Sequence, residues 1–215
     1  MLARWLVVAV AFSGCKPRRA EPEAKPLDPA IAKVASARLD LVRRAVAALP
    51  ASTASLPACR PGAGVKVLSS ATADVMTGGK GDASIPGYAR TNRDARDFDD
   101  LRSPDASTVE RAVRNIGELH GLALFATDEV KAPVAATAML ISPATIKGRV
   151  VVFDLDAKPT CMSTITVTGG PIASVYVKKS ARSDEVQRAF EFEAEKDITD
   201  VLDRAVEAMV KTAEK

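Results

Sequence analysis

Few side chains in this 215-residue sequence are of types that perform chemistry, and their spacing tests each chemistry in turn. His120 is the single histidine, so a Ser–His–Asp arrangement would have to use it as the base that takes the serine proton. It follows a predicted helix end, beside Gly121, where an imidazole serves as a C-terminal cap favoured by the helix dipole. No Gly-x-Ser-x-Gly elbow accompanies it. Thr77-Gly78-Gly79-Lys80-Gly81-Asp82 invites comparison with a phosphate-binding loop, which needs a glycine, four residues, then Gly-Lys-Ser or Gly-Lys-Thr. Asp74 stands where the first glycine belongs and Gly81 replaces the hydroxyl residue, so the stretch is read as a surface turn. Acids cluster at Asp94, Asp97, Asp99 and Asp100, and again at Asp154 and Asp156. Counted as EF-hand loops, the two clusters place Leu101 and Lys158 where an oxygen ligand is required, and both fail. Zinc needs more Cys and His ligands than the chain sets at ligand spacing. Two carboxylates suffice for glycoside hydrolysis, but aromatics to bracket a sugar are scarce, at 4% of residues. No catalytic residue, metal or cofactor is assigned.

The elements that would position these residues follow from periodicity. Asp28-Pro29 reads as an N-cap and first-turn proline, opening an amphipathic helix through Ile31, Val34, Ala35, Val42 and Val46 to Pro50. Val65 to Leu68 reads as a short strand. Residues 70–106 are irregular over a length that is uncommon in a compact domain unless functional or helical. Within them Arg90, Arg93, Arg96, Asp97 and Asp99 are singled out as a polar interaction segment, with surface solvation as the competing reading. Ser107 to Glu110 reads as a capping box for a short helix ending near Gly117. The period then changes to two, and residues 122–126, 134–141, 149–155, 162–168 and 173–177 read as strands. Short connections between them predict an antiparallel arrangement, with 134–141 central because it is apolar on both faces. Ser183-Asp184-Glu185 opens a long C-terminal helix, although Phe190 to Glu195 also alternates as a strand would. The fold class expected is α+β: an antiparallel β-meander of about five strands packed by N- and C-terminal helices, as one domain over 28–215.

Ahead of that domain, one positive charge at Arg4 precedes an apolar run from Trp5 to Phe12, and Ser13-Gly14-Cys15 follows. This run is too short to span a bilayer, and it ends as a secretory signal does. The stretch Phe12-Ser13-Gly14-Cys15 resembles the lipobox of bacterial lipoproteins. The resemblance implies a signal peptide over 1–14, cleavage before Cys15, and diacylglycerol plus an N-acyl chain on that cysteine, a near-permanent anchor. Residues 15–27, with proline and charge of both signs, then read as an extended tether. The address implied is the cell envelope, and Lys16 after the cysteine matches the outer-membrane pattern. In an oxidising compartment Cys59 and Cys161 are expected to pair. That bridge would close a loop worth about 4–5 kcal/mol in the chain-entropy model.

The whole chain carries 30 basic and 27 acidic residues; removing Arg4 with the signal leaves 29 against 27. A balance so near zero gives no electrostatic footprint for nucleic acid or an anionic membrane surface. The expected partners are the membrane, through the lipid, and an envelope protein, with no nucleic acid. The function expected is that of a non-catalytic interaction module. A small-ligand or lipid binder is the alternative, and a carboxylate-based hydrolase ranks last.

Overall fold

In a computed structural model of the chain, the residues described are 26–210, except 52–53, 61, 63, 79–92, 132–133, 138–139, 143 and 173. Cys15 with its lipobox, the tether up to residue 25 and Arg90 lie outside them. The described residues form a mixed α+β fold with five helices and a four-stranded sheet. Chain order is α1 (Pro29–Ala47), β1 (Val65–Ser69), α2 (Ser70–Met76), α3 (Arg93–Asp100), α4 (Ala106–Ile116) and β2 (Gly121–Lys131). Then come β3 (Val134–Thr137), β4 (Leu140–Ser142), β5 (Thr145–Phe153), β6 (Pro159–Thr168) and α5 (Ser183–Val210).

Strand order is β1-β2-β5-β6. β2, β5 and β6 make the expected antiparallel run, with Leu124 opposite Val151 and Val151 opposite Met162. The expectation of five antiparallel strands is corrected in three places. β1 joins the sheet parallel to β2, Val67 lying opposite Ala123. Parallel neighbours need a crossover, which α2 and α3, from the stretch that reads as irregular in sequence, supply together with the expected helix α4. Residues 134–141 are no central strand: β3 and β4 pair only with each other, outside the main sheet. Residues 174–177 run without a strand ladder, and Tyr176, expected in the sheet, is fully exposed.

The centre of the sheet is buried on both faces, and the period of two assigns each side chain to one of them. On one face Leu68, Leu122, Leu124, Val151 and Phe153 meet α1 through Val42, α3 through Phe98 and α4 through Ile116. On the other, Val67, Ala123, Phe125, Val150 and Ile165 meet α5 through Ile198, Leu202 and Val206. α5 crosses this face from β6, where Asp197 accepts the Gly170 N–H at 2.5 Å, toward β1, where the Val210 carbonyl accepts from Gly62 at 3.0 Å. Its N-terminal part instead packs Phe190 and Ala194 on Ile172 and Val175, in a small separate cluster. The segment 190–195 is helix, and Phe192, the residue that fits no helical stripe, is exposed.

Local signals explain most boundaries. Asp28 Oδ1 accepts the Ala30 N–H at 2.7 Å and Pro29 opens α1. α4 starts earlier than the capping box predicts: Asp105 is its N-cap and accepts from the Thr108 N–H at 2.9 Å. The helix ends at Gly117, whose φ of 62° and ψ of −146° lie where only glycine is unstrained. The expected bridge Cys59–Cys161 is present.

Candidate functional site at the edges of the sheet

A four-stranded sheet has two edges, each a row of unpaired backbone groups that another chain can pair with. The fold treats them differently. The β1 edge is closed by α3. Ala95, Phe98 and Leu101 recur at three-residue spacing and bury one face of this helix and its exit, and Asp94 and Asp97 are drawn in beside them. Asp94 Oδ2 accepts the Val67 N–H at 2.9 Å, taking the place of a neighbouring strand's carbonyl. Its Oδ1 lies 3.4 Å from Lys66 Nζ. Asp97 Oδ1 accepts from Asn115 Nδ2 at 3.0 Å and ties α3 to α4. Both carboxylates are about 95% buried, so the desolvation each suffers is offset by these bonds.

The β6 edge has two halves. Alternation along an antiparallel strand sends successive N–H groups to opposite sides. The Gly169 N–H points inward, to the Ala144 carbonyl at 3.0 Å, whereas the Met162 N–H points outward, to the Pro57 carbonyl at 2.9 Å. Parity therefore directs the backbone groups of Thr164, Thr166 and Thr168 outward. The first half of the edge is covered by the extended segment 54–60. It is held by the Pro57 bond, by the Cys59 N–H donating to Ser163 Oγ at 2.8 Å, and by the disulfide. Among the described residues no strand pairs with the second half, Thr164 to Thr168. Its side chains are Thr, Ile, Thr, Val, Thr: the threonines are exposed, and Ile165 and Val167 are buried against the α5 layer. It carries no charge, proline or bulge, the devices that ordinarily blunt an edge.

Other residues that sequence reading singled out fall elsewhere. Arg96 is exposed, and Asp99 is exposed and pairs with Arg102 at 3.5 Å. Arg93 opens α3. Asp97 is buried, and Arg90 lies outside the described residues. His120 does not cap α4. Arg38 does, donating to the Val113 and Gly117 carbonyls at 2.9 and 2.6 Å, while burial lowers the guanidinium pKa. The His120 N–H donates to the Gly64 carbonyl at 3.0 Å, and its exposed ring pairs with Glu118 at 3.2 Å. Asp154 accepts the Asp156 and Lys158 N–H groups at 3.0 and 2.9 Å, which makes it the organiser of the β5–β6 turn. Among the described residues no three Cys, His, Asp or Glu side chains gather as a metal-ligand set.

Sequence reading missed Asp94 because an Asp among alternating Arg and Asp looks like a solvated surface. The available signal was the Ala95, Phe98, Leu101 spacing, which makes Asp94 the neighbour of a buried face. It could not place the open edge of the sheet on a particular strand, because strand order, not any residue, determines it. Compared with known proteins, the chain matches no family model, no curated protein and no solved structure.

Proposed function

We propose that this protein is a lipid-anchored envelope protein, attached through diacylglycerol and an N-acyl chain on Cys15, that acts as a non-catalytic interaction module. The partner's extended segment adds to the sheet at Thr164 to Thr168. One observation carries this reading: the β1 edge is sealed by a buried carboxylate, while among the described residues no strand pairs with the uncharged second half of the β6 edge. In strand addition, main-chain hydrogen bonds supply affinity and alternate side chains supply specificity. At this edge the outward backbone groups of Thr164, Thr166 and Thr168 supply the first. The exposed face of the threonines and the apolar Ile165–Val167 face supply the second.

The test is site-specific photo-crosslinking in cells from Thr166, with a probe at exposed Arg114 on α4 as the control position and Cys15→Ser as the unanchored control. A discrete envelope protein captured from Thr166 and not from Arg114, and lost with Cys15→Ser, is the expected result. Equal capture from both positions refutes docking at the edge. Capture that survives Cys15→Ser refutes the role of the anchor.

A further inference from the structure

We infer that the Cys59–Cys161 bridge is a redox latch that sets how much of the β6 edge is open. This inference rests on the reading of that edge as the docking surface and adds its regulation. Among the described residues, little else holds the segment 54–60 that covers the first half of the edge. Ser55, Pro57, Ala58 and Arg60 are exposed, and Ala54, Leu56 and Cys59 are only half-buried. Among the described residues its non-covalent ties to β6 are the Met162-to-Pro57 bond at 2.9 Å and the Cys59-to-Ser163 bond at 2.8 Å. A net gain of ~1 kcal/mol from each such bond is set against ~1–2 kcal/mol per residue for ordering the backbone. Over a segment this long the ordering cost wins, so the covalent bond is what keeps the strap on the edge.

A protein or small-molecule dithiol would open the latch. Its thiolate attacks one sulfur of the bridge and forms a mixed disulfide. The second thiol of the reagent then displaces the remaining cysteine. The reagent leaves as a disulfide, and Cys59 and Cys161 each end as a thiol, carrying the two protons that the dithiol gave up. Both cysteines are partly exposed, so a thiolate can reach them. Release of the strap adds Thr160 to Ser163 to the open edge, and a partner strand then has the length of β6 to pair with. Reduction leaves β6 in the sheet, because its inward groups remain paired with β5.

Amide hydrogen exchange on the mature, lipidated chain in detergent micelles, before and after reduction by dithiothreitol, tests this. In the oxidised protein Met162 should be protected and Thr164, Thr166 and Thr168 should exchange freely. After reduction Met162 exchange should rise about tenfold or more, with Ile165 and Val167 unchanged. Cys59→Ser without reductant should reproduce the reduced pattern. If Met162 stays protected after reduction, the strap holds without its bridge and the latch is overturned. If Ile165 and Val167 lose protection together with Met162, the bridge is a global staple and the latch is again overturned. Failure of the underlying docking reading has its own signature: Thr164, Thr166 and Thr168 already protected in the oxidised protein.

Discussion

Replacing Asp94 by alanine tests the most specific claim about how the sheet is bounded. The substitution removes the acceptor of the Val67 N–H, which then stays buried at the edge of β1 with no oxygen 2.9 Å away. Leaving a buried donor unsatisfied costs about 1–3 kcal/mol, and hydrogen bonds to charged groups sit at the upper end of their range. Lys66 Nζ also loses its carboxylate at 3.4 Å, and with only 21% of that side chain exposed solvent screens the pair incompletely. Together these give an expected loss of about 2–4 kcal/mol for Asp94→Ala. For a domain of this size that lowers Tm by roughly 4–16 °C. Asp94→Asn keeps an oxygen for the Val67 N–H and loses only the charge, so its loss should be about half as large or less. Thermal unfolding followed by circular dichroism, with the disulfide intact, measures both. Hydrogen exchange at Val67 adds a local readout, faster in the alanine variant and near wild type in the asparagine variant. If Asp94→Ala unfolds within about 0.5 kcal/mol of wild type, the carboxylate is not sealing the edge. Equal losses in the two variants would mean that charge pairing, rather than the backbone bond, holds α3 to β1.

Gly148 should resist substitution, since a Cβ there would sit 2.4 Å from the Ala126 carbonyl oxygen and 2.7 Å from the Phe125 ring. Gly148→Ala should cost about 1–3 kcal/mol in urea unfolding, and a neutral result would show that the strands part easily at this point. Hydrogen bonds from the Thr108 and Ser107 hydroxyls and the Thr108 N–H hold the Asp105 carboxyl down at about 2, against an ordinary 3.8. A depressed folded-state pKa means that its stabilisation is complete above about 4 and lost as pH falls through about 2. An NMR titration of Asp105 should show that low midpoint, and Asp105→Asn should flatten this part of the acid-unfolding curve; a midpoint near 4 would remove the cap. Partner capture at the uncharged Thr164 to Thr168 edge should be nearly insensitive to salt between 0.05 and 0.5 M, a range over which exposed charge pairs are progressively screened. A steep loss with salt would move the interface to exposed charges such as Arg96 and Asp99.

How much of this was legible depends on where each signal lives. α1 is written locally: Asp28, Pro29 and Pro50 mark its ends, and its apolar stripe is continuous. β2, β5 and β6 show their period of two, and the cysteine count together with the inferred compartment pointed to the bridge. α3 was hidden because its buried face is completed by Asp94 and Asp97, so that polar residues occupy positions where periodicity looks for apolar ones. β1 was visible as a strand, but its parallel pairing with β2 depends on a helical crossover of which only α4 could be read. Val175 shows how alternation misleads: its period of two is used in packing on Phe190 and Ala194, and no ladder forms. The split of 134–141 into a hairpin is likewise invisible in an apolar run, because hydrophobicity does not fix strand pairing.

The contrast between the edges bears on function because each is closed by a different kind of device. At β1 the closing group belongs to a helix buried in the core, through Phe98, and removing it means disrupting the packing of α3 on α4 and the sheet. A carboxylate there only accepts, so it satisfies the outward N–H of Val67 and offers nothing to a strand that would also need a donor. At β6 the cover is a mostly exposed strap on one covalent pin, beside backbone groups that both donate and accept. A sheet protected only against self-association would need the same permanence on both sides. Under the proposed reading, closing one edge with core packing and part of the other with a strap confines strand addition to one edge of the sheet. A module that recognises a partner by its backbone requires that restriction, because backbone hydrogen bonds alone do not distinguish one edge from the other.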